Sequence, residues 1–320
     1  MLSVIMAILL AFATSASQVI ACSLPGDGQG NGPPLSYTDN GNGTVTDNVT
    51  GLIWEKTTPA DVANQYSFSE VSAFFLPSID GLGGHHGWRL PNVKELQSVV
   101  NYGVRWPSIN QSIFGPIVPV TQTTIENYWS ISPAIGGGEW SVDFNIGGEI
   151  NVNNKDTYVR AVWGSPANCF PGDGAGHGKP LSYTGNGDTV TDNVTGLMWE
   201  KTTGVVGTET SDPPATDVNN TYTWTDANTA FVAKLDEEGL GGYSDWRLPN
   251  IKELESIADY GVTHPAIDQT VFGPNVKSFY WSSTPHTGAN TCAWGVGFGA
   301  GRIYHNDRST YHYVRAVRGG

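Results

Sequence analysis

Two polar, aromatic segments carry the residues with the most to offer a ligand. The first holds Trp140, Asp143, Asn145, Asn153 and Asp156; the second holds Trp294, His305, Asn306, Asp307 and Arg308. Planar amides and carboxylates bond sugar hydroxyls, while an indole face covers the apolar side of a sugar ring. These ten residues are therefore the expected ligand contacts. The alternative is a pair of solvated, variable loops of the kind that decorate many scaffolds.

Catalytic chemistry finds less support. The chain has no His-Glu-x-x-His zinc signature, nucleophile elbow, phosphate-cradling glycine loop or cysteine pair at metal spacing. No catalytic residue and no metal ligand is assigned. Two oxygen-rich turns, Asp39-Asn-Gly-Asn-Gly-Thr44 and Gly185-Asn-Gly-Asp-Thr189, have the composition of calcium loops. The second is a residue shorter and lacks the first acid, so both are read as plain hairpin turns and no cofactor is expected.

Three cysteines leave one unpaired. The economical bridge joins Cys169 to Cys292, leaving Cys22. The run Val19-Ile20-Ala21-Cys22 resembles a bacterial lipoprotein box, which would make Cys22 a lipid anchor. Cys22 also precedes Pro-Gly-Asp-Gly just as Cys169 does, so a structural role stays open. Residues 1–21 carry no charged side chain and run apolar from Val4 to Phe12, the pattern of an export signal cleaved after Ala16 or Ala21, or before Cys22. Secretion, attachment to the cell surface or outer membrane, or a periplasmic location follows, with membrane contact only through lipidation of Cys22.

A net charge of −14 disfavours nucleic acid and other polyanions as partners. Only 14% of residues are charged, while 40 glycines and 11 tryptophans favour short strands, ordered loops and aromatic packing.

The elements that must position the ligand residues come twice. Thr44 to Thr58 recurs as Thr189 to Thr203 with one difference, and Trp88-Arg-Leu-Pro-Asn-Val-Lys-Glu-Leu returns from Trp246. Tyr128-Trp129-Ser130 and Val159-Arg160-Ala161-Val162 recur at Tyr280 and Val314. The chain thus divides into an export signal at 1–21, a first copy at 23–165 and a second at 168–320, joined by a Gly/Pro-rich stretch at 164–178. Each copy is expected to be α+β: a hairpin, a third strand, a helix (in the second copy capped by Thr225), a second helix, then short closing strands. Asn92 with Glu95, and Asn250 with Glu253, have capping-box spacing. Trp54, Trp88, Trp199 and Trp246 are expected in the core. Arg89, Arg160, Arg247 and Arg315 are expected to pair with Glu95 or Asp47, and with Glu253 or Asp192. His85 and His86 become Tyr243 and Ser244 in the second copy, an exchange that argues against a metal there.

The hairpin ending in TDNVTGLMWEK, the WRLPNIKEL helix start, the YWSS strand and the terminal YVRAVRGG resemble the Lcl C-terminal domain family, named for a collagen-like bacterial adhesin. The resemblance covers both copies and implies a C-type-lectin-like fold related to formylglycine-generating, sulfatase-modifying enzymes. It also implies that the ligand residues lie where lectin-like folds carry ligands. The Glu-Pro-Asn, Gln-Pro-Asp and Trp-Asn-Asp strings of calcium-dependent lectins are absent. The expected function is a secreted or surface-attached binding or adhesion protein for glycan or a surface protein. The alternatives are a structural envelope protein and, third, an enzyme of the formylglycine-generating kind.

Overall fold

A computed structural model describes residues 24–58, 61–117, 127–145, 147–153, 155–165, 170–207 and 214–319. The expected export signal, Cys22 and Cys169 lie outside the described residues. The chain is α+β and built as two similar halves.

The Asn-Gly turns do what positive φ allows, folding Tyr37–Asp39 onto Thr44–Asp47 and Tyr183–Asn186 onto Thr189–Asp192. Ile53–Glu55 and Met198–Glu200 add a third strand, and Val162–Trp163 and Val317–Arg318 close each sheet. A second antiparallel sheet comprises Asn127–Pro133, Glu139–Asp143 and Glu149–Asn153 in the first copy. In the second copy it comprises Phe279–Pro285, Cys292–Gly297 and Arg302–Asp307, extended by His312–Tyr313 and Thr221–Tyr222.

Both copies place a helix (68–78 and 224–238) beside these sheets. In the second, Ala227, Phe231 and Leu235 face the core as their spacing requires. The cap is Thr223 rather than Thr225: the extended backbone of Thr223 lets its hydroxyl accept from Asp226 N at 3.2 Å, whereas Thr225 already lies in the first turn. The helices Val93–Ser98 and Ile251–Ser256 carry the expected capping boxes. One-turn helices at Gln111–Phe114 and Gln269–Phe272, capped by Asn110 and Asp268, are additional to the expected elements.

The retained tryptophans, Trp54 and Trp199 among them, are buried, and two pairs of them anchor the backbone. Trp88 and Trp246 donate their indole N–H to His85 O and Leu240 O, and Trp129 and Trp281 donate theirs to Tyr66 O and Tyr222 O. Arg89 and Arg247 make the expected two-pronged bonds to Glu95 and Glu253. Arg160 and Arg315 differ from expectation. Both are fully buried, and each donates to the backbone carbonyl of a third-strand glutamate, Glu55 or Glu200. Those glutamate side chains accept from Ala161 N and Ala316 N. Asp47 and Asp192 instead close the turn before the third strand, accepting from Val49 N and Val194 N.

The halves join through two loops, 25–33 and 171–179, each carrying Pro-Gly-Asp-Gly. Asp27 and Asp173 are fully buried. Asp173 organises its own loop through Ala175 N and His177 N, then reaches the other copy, where Ser132 donates to it at 2.6 Å. Ser132 in turn accepts from Val93 N, the first amide of a helix. Asp27 repeats the arrangement with Gln29 N, Asn31 N, Thr284 and Ile251 N. The glycine after each aspartate is required: φ is +80°, and a Cβ at Gly28 or Gly174 would strike Asn101 Oδ1 or Asp259 Oδ1.

Truncating Asp173 strands buried donors from both copies, so Asp173→Ala is expected to lower stability by about 3 kcal/mol. Asp188→Ala, at an exposed turn, should be near neutral. Urea unfolding of both variants measures the difference. Burial pushes the Glu200 carboxyl up from 4.5 to about 7, against the pull of Arg315. A raised folded value means that its contribution is complete below the ordinary value and is lost as pH rises through about 7. Stability of the native chain should therefore fall more steeply between about pH 5 and 7 than that of Glu200→Gln. Urea titrations at each pH with equal slopes would contradict this.

Candidate functional site

The structure distributes the ten expected ligand residues over separate environments. Trp140 and Trp294 turn inward, 3% and 1% exposed, into the junction between the copies. The Trp140 ring packs edge-on against Tyr260 at 5.6 Å with the Arg302 guanidinium 6.0 Å from its centre, and Trp294 packs against Tyr102 at 5.3 Å. Neither offers a stacking face to a ligand. Asp143 and Asn145 are fully buried, the carboxylate of one accepting from the amide N of the other at 2.7 Å. Asn153 pairs by backbone with Glu139, its side chain lying outside the described residues, and Asp156 is exposed.

In the second copy, His305 stacks on His286 at 4.2 Å, and its Nδ1 lies 3.1 Å from Glu149 of the first copy, off-line for a hydrogen bond. Burial, with His305 and two arginines nearby, holds His286 down at about 3, so this stack carries no charge from His286 near neutrality. Asn306 is a half-buried strand residue opposite Ala293. Asp307 closes a turn through Ser309, and Arg308 lies 4.3 Å over the Trp224 ring while donating to Cys292 O. The variable segments thus contribute to the junction and a sheet edge rather than to one pocket. Cys292 is a half-buried free thiol 3.8 Å from Thr291 Oγ1; its expected partner Cys169 lies outside the described residues. Asp39, first acid of the calcium-like turn, is paired with Lys56, and no cluster of three or more metal-ligating side chains occurs among the described residues.

At the junction's centre, Lys94 and Lys252 are buried, and each ammonium donates to the last helical carbonyl of the other copy: Ser256 O and Ser98 O, both at 2.8 Å. Cations at helix C-termini satisfy orphan carbonyls and oppose the negative dipole end. Burial lowers Lys94 to about 8 and Lys252 to about 7, and raises nearby Glu255 to about 8. This cluster is not marked by any motif of its own in the sequence, where Lys94 and Lys252 are one residue each inside the repeated helix start. The retained Pro-Gly-Asp-Gly was the available signal for it.

A cleft of about 570 Å³, in the range of ligand sites, opens where the 25–33 loop of the first copy faces the second copy. Asn31 lines it from the loop, Asn228 and Val232 from helix 224–238, and Arg247, Leu248 and Ser283 from the second copy's core edge. Arg247 is half-exposed, yet its two terminal nitrogens are engaged by Glu253, Leu248 O and Gly319 O. Glu253 thereby holds the guanidinium above its ordinary value and cancels its charge. What the cleft presents is amide, hydroxyl and aliphatic surface without net charge. The same framework recurs around Arg89, which bonds Gly164 O, but with His177 and Ile131 at the places of Asn31 and Ser283.

No helix among the described residues is long and apolar enough to cross a membrane. No curated protein matches the chain in sequence. The model of the Lcl C-terminal domain family matches residues 43–163 and again residues 188–318, most of each half. The motifs that fix the hairpin sheet, the capped helix and the closing arginine strand fall inside both matches, and the chain belongs to the Lcl C-terminal domain family as a tandem pair.

Proposed function

We propose that this chain is an exported or surface-attached binding protein that holds a neutral, hydroxyl-rich ligand, such as the end of a glycan, in the cleft between the two copies. The observation that carries the reading is the cleft itself: ligand-sized, walled by both halves, and lined by amide and hydroxyl groups beside Leu248 and Val232. With Arg247 neutralised by Glu253, an anionic ligand gains little there, whereas sugar hydroxyls can exchange bonds with Asn31, Asn228 and Ser283. Binding rather than catalysis fits the strongly shifted carboxyl and ammonium groups: Glu55, Glu200, Lys94, Lys252 and Glu255 are buried among structural partners. A purely structural envelope role is the second reading, favoured by the burial of Trp140 and Trp294 in the junction.

Asn228 is exposed on its helix, so Asn228→Trp fills the cleft without entering the core. Screening the mature protein against neutral and acidic oligosaccharides should give binding confined to neutral ones. Asn228→Trp should weaken that binding at least tenfold, about 1.4 kcal/mol, at unchanged melting temperature. Absence of binding to the whole panel, or full affinity in the variant, would remove the cleft reading.

A further inference from the structure

We infer that the junction is a self-recognition surface: the two halves of this chain associate as a dimer of Lcl C-terminal domains and need no covalent link to do so. Its contacts come in reciprocal pairs, the mark of an interface around a two-fold axis. Asp27 takes a bond from Thr284 as Asp173 takes one from Ser132. Asn250 Nδ2 donates to Asn31 O as Asn92 Nδ2 donates to His177 O. Lys94 reaches Ser256 O as Lys252 reaches Ser98 O. Tyr102 packs on Trp294 as Tyr260 packs on Trp140. Each half therefore presents one patch, and that patch is complementary to its own counterpart.

The interface also has the composition of an obligate contact, with buried aromatic anchors at its core and buried polar groups joined to partners on the other side. A half standing alone would expose Trp140 or Trp294 and strand the buried lysine and aspartate that the other half satisfies.

One substitution breaks the symmetry. Position 97 is glutamine in the first copy, its amide bonded to Gly148 O and its oxygen accepting from Tyr102. The equivalent Glu255 accepts from the Tyr260 hydroxyl at 3.1 Å and places an acidic side chain beside the two buried lysines. A first half paired with a second half brings two lysines together with this glutamate. Two first halves would bring two lysines with none. Pairing is thus selective for unlike halves over two copies of the first.

The test uses the full chain with a specific protease site inserted at 166–167, between the copies. After cleavage, the fragments should co-elute at the size of the intact chain at micromolar concentration with an unchanged near-ultraviolet circular dichroism spectrum. Mixing with an isotope-labelled nicked chain should yield particles of one labelled and one unlabelled fragment, each pairing a first half with a second. Separation of folded halves, collapse of the structure on nicking, or first halves pairing freely with one another would overturn the inference. Glu255→Gln should raise dissociation of the nicked chain at least tenfold. If that variant fails to fold intact, Gln29→Ala, which deletes the bond to Pro285 O, should raise it about threefold, near the low end of a single hydrogen bond's net effect. No change in the folded variant tested would count against the junction as the source of association.

Discussion

A buried carboxylate that accepts from both sides of a boundary ties that boundary together, and Asp27 and Asp173 each do this. Each aspartate first shapes its own glycine-rich loop, whose φ of +80° after the acid no other residue type adopts without strain. It then accepts the hydroxyl of Thr284 or Ser132, which accepts the first amide of the helix at 251 or 93. The chain of bonds runs loop, hydroxyl, helix, and it crosses from one copy to the other in both directions. The helix so fixed carries Lys252 or Lys94 to the opposite helix C-terminus and Glu253 or Glu95 to its arginine. Both the junction and the cleft that borders it rest on this arrangement.

This arrangement changes the meaning of the variable segments. Residues that differ between tandem copies invite a reading as ligand contacts, yet Trp140 and Trp294 hold equivalent places in the contact, and Glu149 and His305 stand where the other copy has Arg302 and Val152 because the two sides of a pseudo-symmetric contact need not be identical. The chemistry suited to a sugar ring is the same chemistry suited to a half-polar protein interface. Indoles cover apolar surface, and amides and carboxylates satisfy backbone groups. The surface left for a ligand is instead built from parts that look unremarkable singly: a loop asparagine, an exposed helix asparagine, a serine and an arginine whose charge is cancelled.

The hairpin, its third strand and both capping boxes were legible in the sequence because each depends on neighbours within a few residues: an Asn-Gly turn, an Asn-x-x-Glu spacing, a 3.6-residue apolar rhythm. The core tryptophans and the Arg89–Glu95 and Arg247–Glu253 pairs followed from their places in repeated blocks. Long-range partners were not legible. Arg160 and Arg315 needed the third strand packed beside them to find Glu55 and Glu200, whereas the repeated blocks offered only Glu95 or Asp47, and Glu253 or Asp192, as partners. Lys94 and Lys252 could not be marked as buried, because helical periodicity does not reveal that another copy covers that face. The cap at Thr223 lies two residues before the expected Thr225, within the usual ambiguity of helix ends.

The shared junction makes the two copies one cooperative body. Equilibrium urea unfolding followed by both tryptophan fluorescence and far-ultraviolet circular dichroism tests it most directly. One coincident transition is predicted, with a denaturant dependence matching exposure of both copies together. Two separable transitions, each with the shallower dependence of a half-length domain, would show that the copies stand independently and would contradict a shared cooperative junction.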